Sequence, residues 1–422
     1  MKKLVVVLLL CLTWQLHAQD KEYARWLIDT LASPAFSGRG FIDDGMGKAA
    51  RFLAREMAVA GLKPMRQDYL QPLDISINTF PGPVELIVDG KALVPGRDFL
   101  VAPQSPSIQG TYRVRTLKPK DIIQRRHKRL LADPMVFTVI PSPGEEKAIR
   151  QFSDSLRWVD PIGGKGLIRL SDRKIYWSQS GSLPHRNQVL LDVKAEAWPA
   201  KAREITLNIR AVPHWEYEVF NVFGMITGTH EPDSMILFTA HYDHLGMLGP
   251  DALFPGANDN ASGTAMIMDL ARFFAKHPPR WSVGFLACAA EESGLHGSEY
   301  FAAHPLVPLD QIRFVINLDM VGTGSDGIRV VSGTTHPEAF EVMAGINATD
   351  SLLPAVTAGG VSRNSDHYPF HRRGVPAFFI FTMGKEHREY HTLDDKADKL
   401  PLTKYNEVFT ILRRFAELRM QP

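Results

Sequence analysis

The sequence predicts an α/β fold, with a mostly parallel central sheet flanked by helices and interrupted by an inserted β-rich domain. Three observations predict it. Five short apolar runs in the second half, Met235–Ala240, Val283–Ala289, Ile312–Leu318, Ile328–Val331 and Ala377–Thr382, alternate with loops and helix-like segments. Nearly continuous apolar runs suit strands buried on both faces. Upstream, from about 71 to 214, repeated turn signals separate isolated β-favouring runs. The chain has 422 residues, 45% hydrophobic and 22% charged, which fits two or three domains or one large domain with an insertion and excludes global disorder.

Each element follows from local residue patterns. Lys2 and Lys3 precede an apolar run, Leu4–Leu12, and small Ala18 offers a cleavage point before Gln19. Residues 1–18 read as a secretory signal peptide, because that run is too short to span a bilayer. Export to the periplasm or the medium is the expected localisation. From Gly47 to Ala60, Ala50, Leu53, Met57 and Ala60 share one helical face, and Gly61 followed by Pro64 stops the helix. In the insertion, Pro81-Gly82-Pro83, Asp89-Gly90, Pro95-Gly96, Pro141-Ser142-Pro143-Gly144 and Gly163-Gly164 mark turns between strands at Val84–Val88, Met135–Ile140, Val189–Val193 and Ile205–Ile209. The basic run Lys118–Arg129 reads as a solvated helical surface. Beyond Asn221, the clearest helix between strands is Ala261–Lys276, with Met266, Leu270, Phe273 and Phe274 on one side.

Charge and cysteine content narrow the function. A net charge of +2 gives no electrostatic case for nucleic acid or an anionic membrane, and no later stretch is long and apolar enough to insert stably in a bilayer. Two cysteines exclude a disulfide-stapled scaffold and a Cys₄ zinc site. Cleavage after Ala18 would remove Lys2, Lys3 and Cys11 but no acid. The mature chain would be formally neutral and keep only Cys288, so its stability would rest on the core and on bound metal.

The chemistry stands at the strand ends. Met235–Ala240 runs into His241-Tyr242-Asp243, Val283–Ala289 into Glu291-Glu292, and Ile312–Leu318 into Asp319; the last strand precedes a loop carrying His391. Gly256-Ala257-Asn258-Asp259-Asn260 opens the helix from Ala261. Ligands of open α/β sheets collect beyond the carboxyl ends of strands. Acids and imidazoles gathered at one edge repel each other unless a cation compensates them. Two histidines and three carboxylates suffice for two metal ions, with Asp259 in its glycine-rich turn as the bridge. Mixed His and carboxylate sites suit catalytic zinc.

The motifs His241–Gly246, Gly256–Gly263, Ala290–Ser298, Asn317–Gly322 and Tyr390-His391-Thr392 resemble those of the M28 family of zinc aminopeptidases. Ser37-Gly38-Arg39-Gly40 and the helix ending at Gly61-Leu62-Lys63-Pro64 resemble that family's amino-terminal segment. The resemblance covers residues 22–70 and 215–420 and leaves the insertion aside, although some relatives carry a protease-associated domain there. It implies the zinc exopeptidase fold, a peptide substrate and two zinc ions. His241, Asp259 and Asp319 would hold one ion; Asp259, Glu292 and His391 would hold the other. Glu291 would act as general base, Asp243 would orient His241, Tyr390 would stabilise the oxyanion, and the Asp259–Asn260 peptide would be cis.

Rival readings exist on related chemistry. The M20 zinc deacylases and carboxypeptidases place a dimerisation domain between their later ligands, for which the span from His241 to His391 leaves no room. Glutaminyl cyclase is a transferase on the same fold with one zinc, against which the full set of five ligands counts. A non-catalytic receptor ectodomain would have lost ligands or base. Neither Gly-x-Ser-x-Gly nor His-Glu-x-x-His occurs, so serine-hydrolase and thermolysin-like sites are out. The pocket walls are expected from loops near Ser325–Gly327 and Gly359–His367.

Overall fold

A computed structural model describes residues 21–421 except 125–130, 132, 134, 143, 145, 157–163 and 182–186. The signal segment and residues 125–129 of the basic run lie outside the described residues, while Pro119–Ile123 of that run is helical as expected. After helices Lys21–Leu31 and Gly45–Val59, strand β1 (Leu70–Thr79) leads into eight strands of a second sheet. These are β2 (Val84–Val88), β3 (Lys91–Leu93), β4 (Phe99–Val101), β5 (Ile108–Thr116), β6 (Val136–Ile140), β7 (Gly166–Ser171), β8 (Val189–Lys194) and β9 (Glu204–Ile209). The chain returns through β10 (Val212–Ile226) to β11 (Glu231–His241), a hairpin of β12 (Gly246–Leu248) and β13 (Ala252–Phe254), and then β14 (Trp281–Cys288), β15 (Ile312–Leu318), β16 (Gly327–Val331), β17 (Val356–Ala358) and β18 (Ala377–Met383).

The main sheet runs β1-β10-β14-β11-β15-β18-β16-β17. Its centre, β14-β11-β15-β18, is parallel, as the apolar runs predict; β1, β10 and β16 add antiparallel pairings, so the whole sheet is mixed. Seven of the eight residues of β14 are buried, from Ser282 to Cys288, because helices cover both faces. Helices Gly45–Val59, Gly263–Lys276 and Tyr405–Arg419 share one apolar core on one side; Phe301, Ala302 and Phe370 close the other. Within the first core Phe238 stacks on Phe285 at 5.8 Å.

The boundaries of the insertion shift. Residues 71–79, expected in the inserted domain, pair with 212–222 of β10, so both belong to the main sheet and form a two-stranded stalk for the insertion. The second sheet runs β3-β2-β9-β5-β6-β7-β8-β4. It is not purely of the antiparallel type that short turns suggest: β5, β6, β7 and β8 are mutually parallel, joined in part through helices Pro119–Ile123 and Lys147–Ser155. One face of this sheet buries its core against Leu245, Leu248, Ala252 and Phe254 of the β12–β13 region. A Leu or Phe buried in this way contributes about 1.5–3 kcal/mol, so the two units share a core rather than a flexible linker.

Candidate metal centre

Each expected ligand sits beyond the carboxyl end of a parallel strand. His241 ends β11, Glu291 and Glu292 follow β14, Asp319 follows β15, and His391 lies on the loop after β18. The chain goes from β11 to β14 on one side and then crosses to β15 on the other. That reversal opens a crevice at the sheet edge, the usual place for a ligand site.

The five side chains converge. His241 Nε2 is 3.4 Å from Asp259 Oδ1 and 3.5 Å from Asp319 Oδ1. His391 Nε2 is 3.1 Å from Asp259 Oδ2 and 3.1 Å from Glu292 Oε2. Asp259 therefore turns one oxygen to each histidine. Both imidazoles are oriented from behind: His241 Nδ1 lies 3.2 Å from the carbonyl of Asp243, and His391 Nδ1 lies 2.9 Å from the carbonyl of Trp177. A carbonyl only accepts, so each Nδ1 carries a hydrogen and each Nε2 faces the carboxylates, where it holds a proton or, once that proton is lost, a metal ion. Metal-ligating histidines are held in this way.

The electrostatics call for cations. Burial opposes charge on His391, yet Glu292 and Asp259 override it and push its pKa up to about 11. Burial of His241 is likewise overridden, by Glu291 and Asp319 first, and its pKa rises well above the ordinary value. Buried carboxylates thus demand positive charge at the two points where Nε2 atoms aim. The donor set, imidazole nitrogens and carboxylate oxygens, fits zinc.

Two sets of three potential ligand atoms lie within 4.8 Å of one another: His241, Asp259, Asp319 and His244, Asp259, Glu292. The sequence alone assigned no role to His244. Its Nδ1 meets Glu292 Oε1 at 2.8 Å, its Nε2 is buried with no hydrogen-bond partner among the described residues, and its ring stands edge-on to His391 at 5.7 Å. His391 is the better-aimed ligand, since its Nε2 reaches both carboxylates; His244 steadies Glu292. Gly256 makes room: a side chain there would place its Cβ 2.4 Å from the His244 ring, and its φ is +62°.

Asp243 has a larger task than orienting His241. Its carboxylate stands 3.7 Å from His241 Nδ1 but accepts the backbone N–H groups of Glu291 (3.1 Å) and Glu292 (3.2 Å). Asp395, also unassigned from sequence, does the same for the bridge: its carboxylate accepts from the N–H groups of Asn258 and Asp259 and pairs with His387 at 2.8 Å. Ser365 donates to Asp319 Oδ2 at 2.9 Å. Arg39, fully buried, donates to the carbonyls of Leu31, Tyr242, Pro255 and Gly256 and ties the amino-terminal segment to the loops bearing His241 and Asp259. A lone Arg in a turn-rich loop gives no sequence signal for this, and Asp395 is one acid among several in a polar stretch.

The loops are held in costly backbone. Ala290 (φ +55°), Met320 (φ +60°) and His391 (φ +51°) are left-handed without being glycine, and each lies within two residues of an expected ligand. Such residues cost about 1 kcal/mol or more and persist where surroundings over-determine them. The Asp259–Asn260 peptide is cis. Burial raises the Glu291 carboxyl well above the usual range against the pull of His241, with Asp366, Glu292 and Asp319 adding repulsion. Tyr390, 43% exposed, stacks on His391 at 3.8 Å, and burial of its hydroxyl with the charges of Asp259, Glu292, Asp319 and Glu291 raises its pKa.

Residues 221–416 match the sequence profile of peptidase family M28. Over that stretch the chain resembles the family. Among curated relatives, Aminopeptidase YwaD of Bacillus subtilis is 26% identical over 347 residues, covering 78% of this chain and 72% of the relative. A probable zinc metalloprotease of Pyrenophora teres f. teres is 38% identical over 109 residues, covering 25% of this chain but only 23% of the relative's own length. A solved aminopeptidase from Aneurinibacillus sp. strain AM-1 superposes with a TM-score of 0.68 at 20% identity, covering 96% of this chain and 98% of that one, so the two share their fold, the insertion included.

Proposed function

We propose that this M28-like chain is a di-zinc aminopeptidase that hydrolyses amino-terminal residues from peptides. The observation that carries the reading is the division of the Asp259 carboxylate between His241 and His391, each with a further carboxylate beside it. One ion would be held by His241, Asp259 and Asp319, the other by Asp259, Glu292 and His391. When bound, such a zinc pair lowers the pKa of coordinated water and polarises the substrate carbonyl.

The chain's own residues supply the proton handling. Glu291 is not needed as a ligand, and its raised pKa suits a group that accepts a proton from water and returns it to the leaving amine. The Tyr390 hydroxyl, whose pKa is raised by burial and by the site carboxylates, would donate to the developing oxyanion. Asp243 fixes the backbone that carries both Glu291 and Glu292.

The amino-terminal pattern supports export: Lys2 and Lys3, the run Leu4–Leu12, and Ala18 before Gln19. Among the described residues no helix is long and apolar enough to cross a membrane. Digestion of a peptide library by the purified, zinc-loaded protein tests the reading. Stepwise release of amino-terminal residues is expected; internal cleavage alone, or pyroglutamate from amino-terminal Gln peptides in place of free glutamine, would overturn it. Amino-terminal sequencing of the protein from cells should begin at Gln19.

A further inference from the structure

The inserted domain reaches into the metal centre. One segment of it, Ile175–Gly181, crosses the catalytic edge of the main sheet. It is fixed there at three points: the Trp177 carbonyl holds His391 Nδ1, Gln179 Nε2 donates to the Leu245 carbonyl at 2.6 Å, and the Gly181 N–H donates to the Ser293 carbonyl at 2.8 Å. Behind it, the Trp177 indole packs on Phe254 at 4.9 Å and donates from Nε1 to the Val101 carbonyl. On its outer side Tyr176 meets Tyr390 at 6.0 Å. Strap and catalytic loops are thus one rigid surface.

Between them lies a cavity of about 250 Å³. The insertion provides most of its wall, including Ala102, Tyr176, Ser180 and Leu190; the catalytic side provides Glu292 to Gly294. The loops near 325–327 and 359–367, expected from sequence to wall the substrate pocket, do not line it. An apolar cavity of about 150 Å³ already accepts benzene, so this one has room for an aromatic side chain. It opens beside Glu292, and so beside the reacting centre.

We propose that this cavity, built mainly by the inserted domain, receives the side chain of a residue flanking the scissile bond, and that it selects for large side chains. The proposal rests on the peptidase reading above. A pocket of this size leaves a small side chain with little to touch, whereas a large one displaces water and gains roughly 10–200-fold for each methylene-sized contact. The insertion would then set specificity, and the strap that walls the pocket would also keep His391 aimed.

The test uses the full zinc-loaded protein and two dipeptide series, X-Ala and Ala-X, with X running from Gly to Phe. Two separate variants, Ala102→Phe and Ser180→Phe, fill the cavity from different walls. In one series the wild type should favour large X, and each variant should lower the Phe-to-Ala ratio of kcat/KM at least tenfold. Whichever series responds identifies the side of the scissile bond. Thermal melting and zinc content, measured alongside, should stay at wild-type values. A variant with wild-type melting whose ratio is unchanged in both series would overturn the proposal. A wild type that cleaves neither series would remove the peptidase reading and the pocket's role with it, whereas a wild type that cleaves both without regard to size would remove the pocket alone.

Discussion

The Nδ1–H of His391 donates to the backbone carbonyl of Trp177 at 2.9 Å, across 214 positions of sequence and from the loop after β18 to the inserted domain. A residue of the insertion thereby sets the tautomer and the aim of an imidazole in the metal centre. Replacing Trp177 by Ala removes the indole that pins the strap to Phe254 and Val101. We expect zinc affinity to fall about 10–100-fold, the range for losing support behind a ligand, with Trp177→Phe intermediate. Competition with a zinc-binding dye measures it, and equal affinity in all three proteins would detach the strap from the centre.

Glu291→Gln should leave both zinc ions in place and lower kcat by about 10²–10⁴-fold, the contribution of a positioned proton-transfer group. Metal analysis beside steady-state kinetics separates the two effects. Near-native turnover would remove Glu291 from its role as base.

Chelation should abolish hydrolysis and lower Tm, and added zinc should restore both. A ligand at one hundred times its dissociation constant stabilises a protein by about 2.7 kcal/mol. Full activity in a metal-free preparation would rule out the proposed centre.

Asp259→Asn should cost more metal than Asp319→Asn, because Asp259 faces both histidines and Asp319 faces one. Equilibrium dialysis should show loss at both sites in the first variant and at one in the second. Equal losses would show that Asp259 does not bridge.

Burial holds the His367 imidazole at a pKa of about 4, with nearby His371 adding to the effect. The unfolded residue titrates near 6.5. Between those values the unfolded chain binds more protons, so stability falls as pH falls, by about 3 kcal/mol at pH 4. In metal-free protein His367→Leu should remove this slope, read by urea unfolding at pH 7, 5.5 and 4. Parallel pH profiles for variant and wild type would contradict the assignment.

The strands of the main sheet were legible because burial on both faces leaves an apolar run that polar residues interrupt only at the ends. For the same reason His241, Asp319 and the Glu291-Glu292 pair stood out. The supports did not, since their partners are backbone groups: Arg39 binds four carbonyls and Asp395 binds N–H groups, contacts that no residue pairing in the sequence announces. The edge of the insertion was misplaced because β1 alternates buried and half-buried residues like any exposed strand, and only its pairing with β10 shows which sheet owns it.

Arg39 joins the first helices to the loop of Asp259, Trp177 joins the insertion to His391, and His391 itself lies late in the chain. A chain synthesised only as far as Asp319 has one half of the centre and nothing to complete the other. Under the proposed function, hydrolysis would therefore begin only once the late loop has met the strap, and short amino-terminal fragments would be inert.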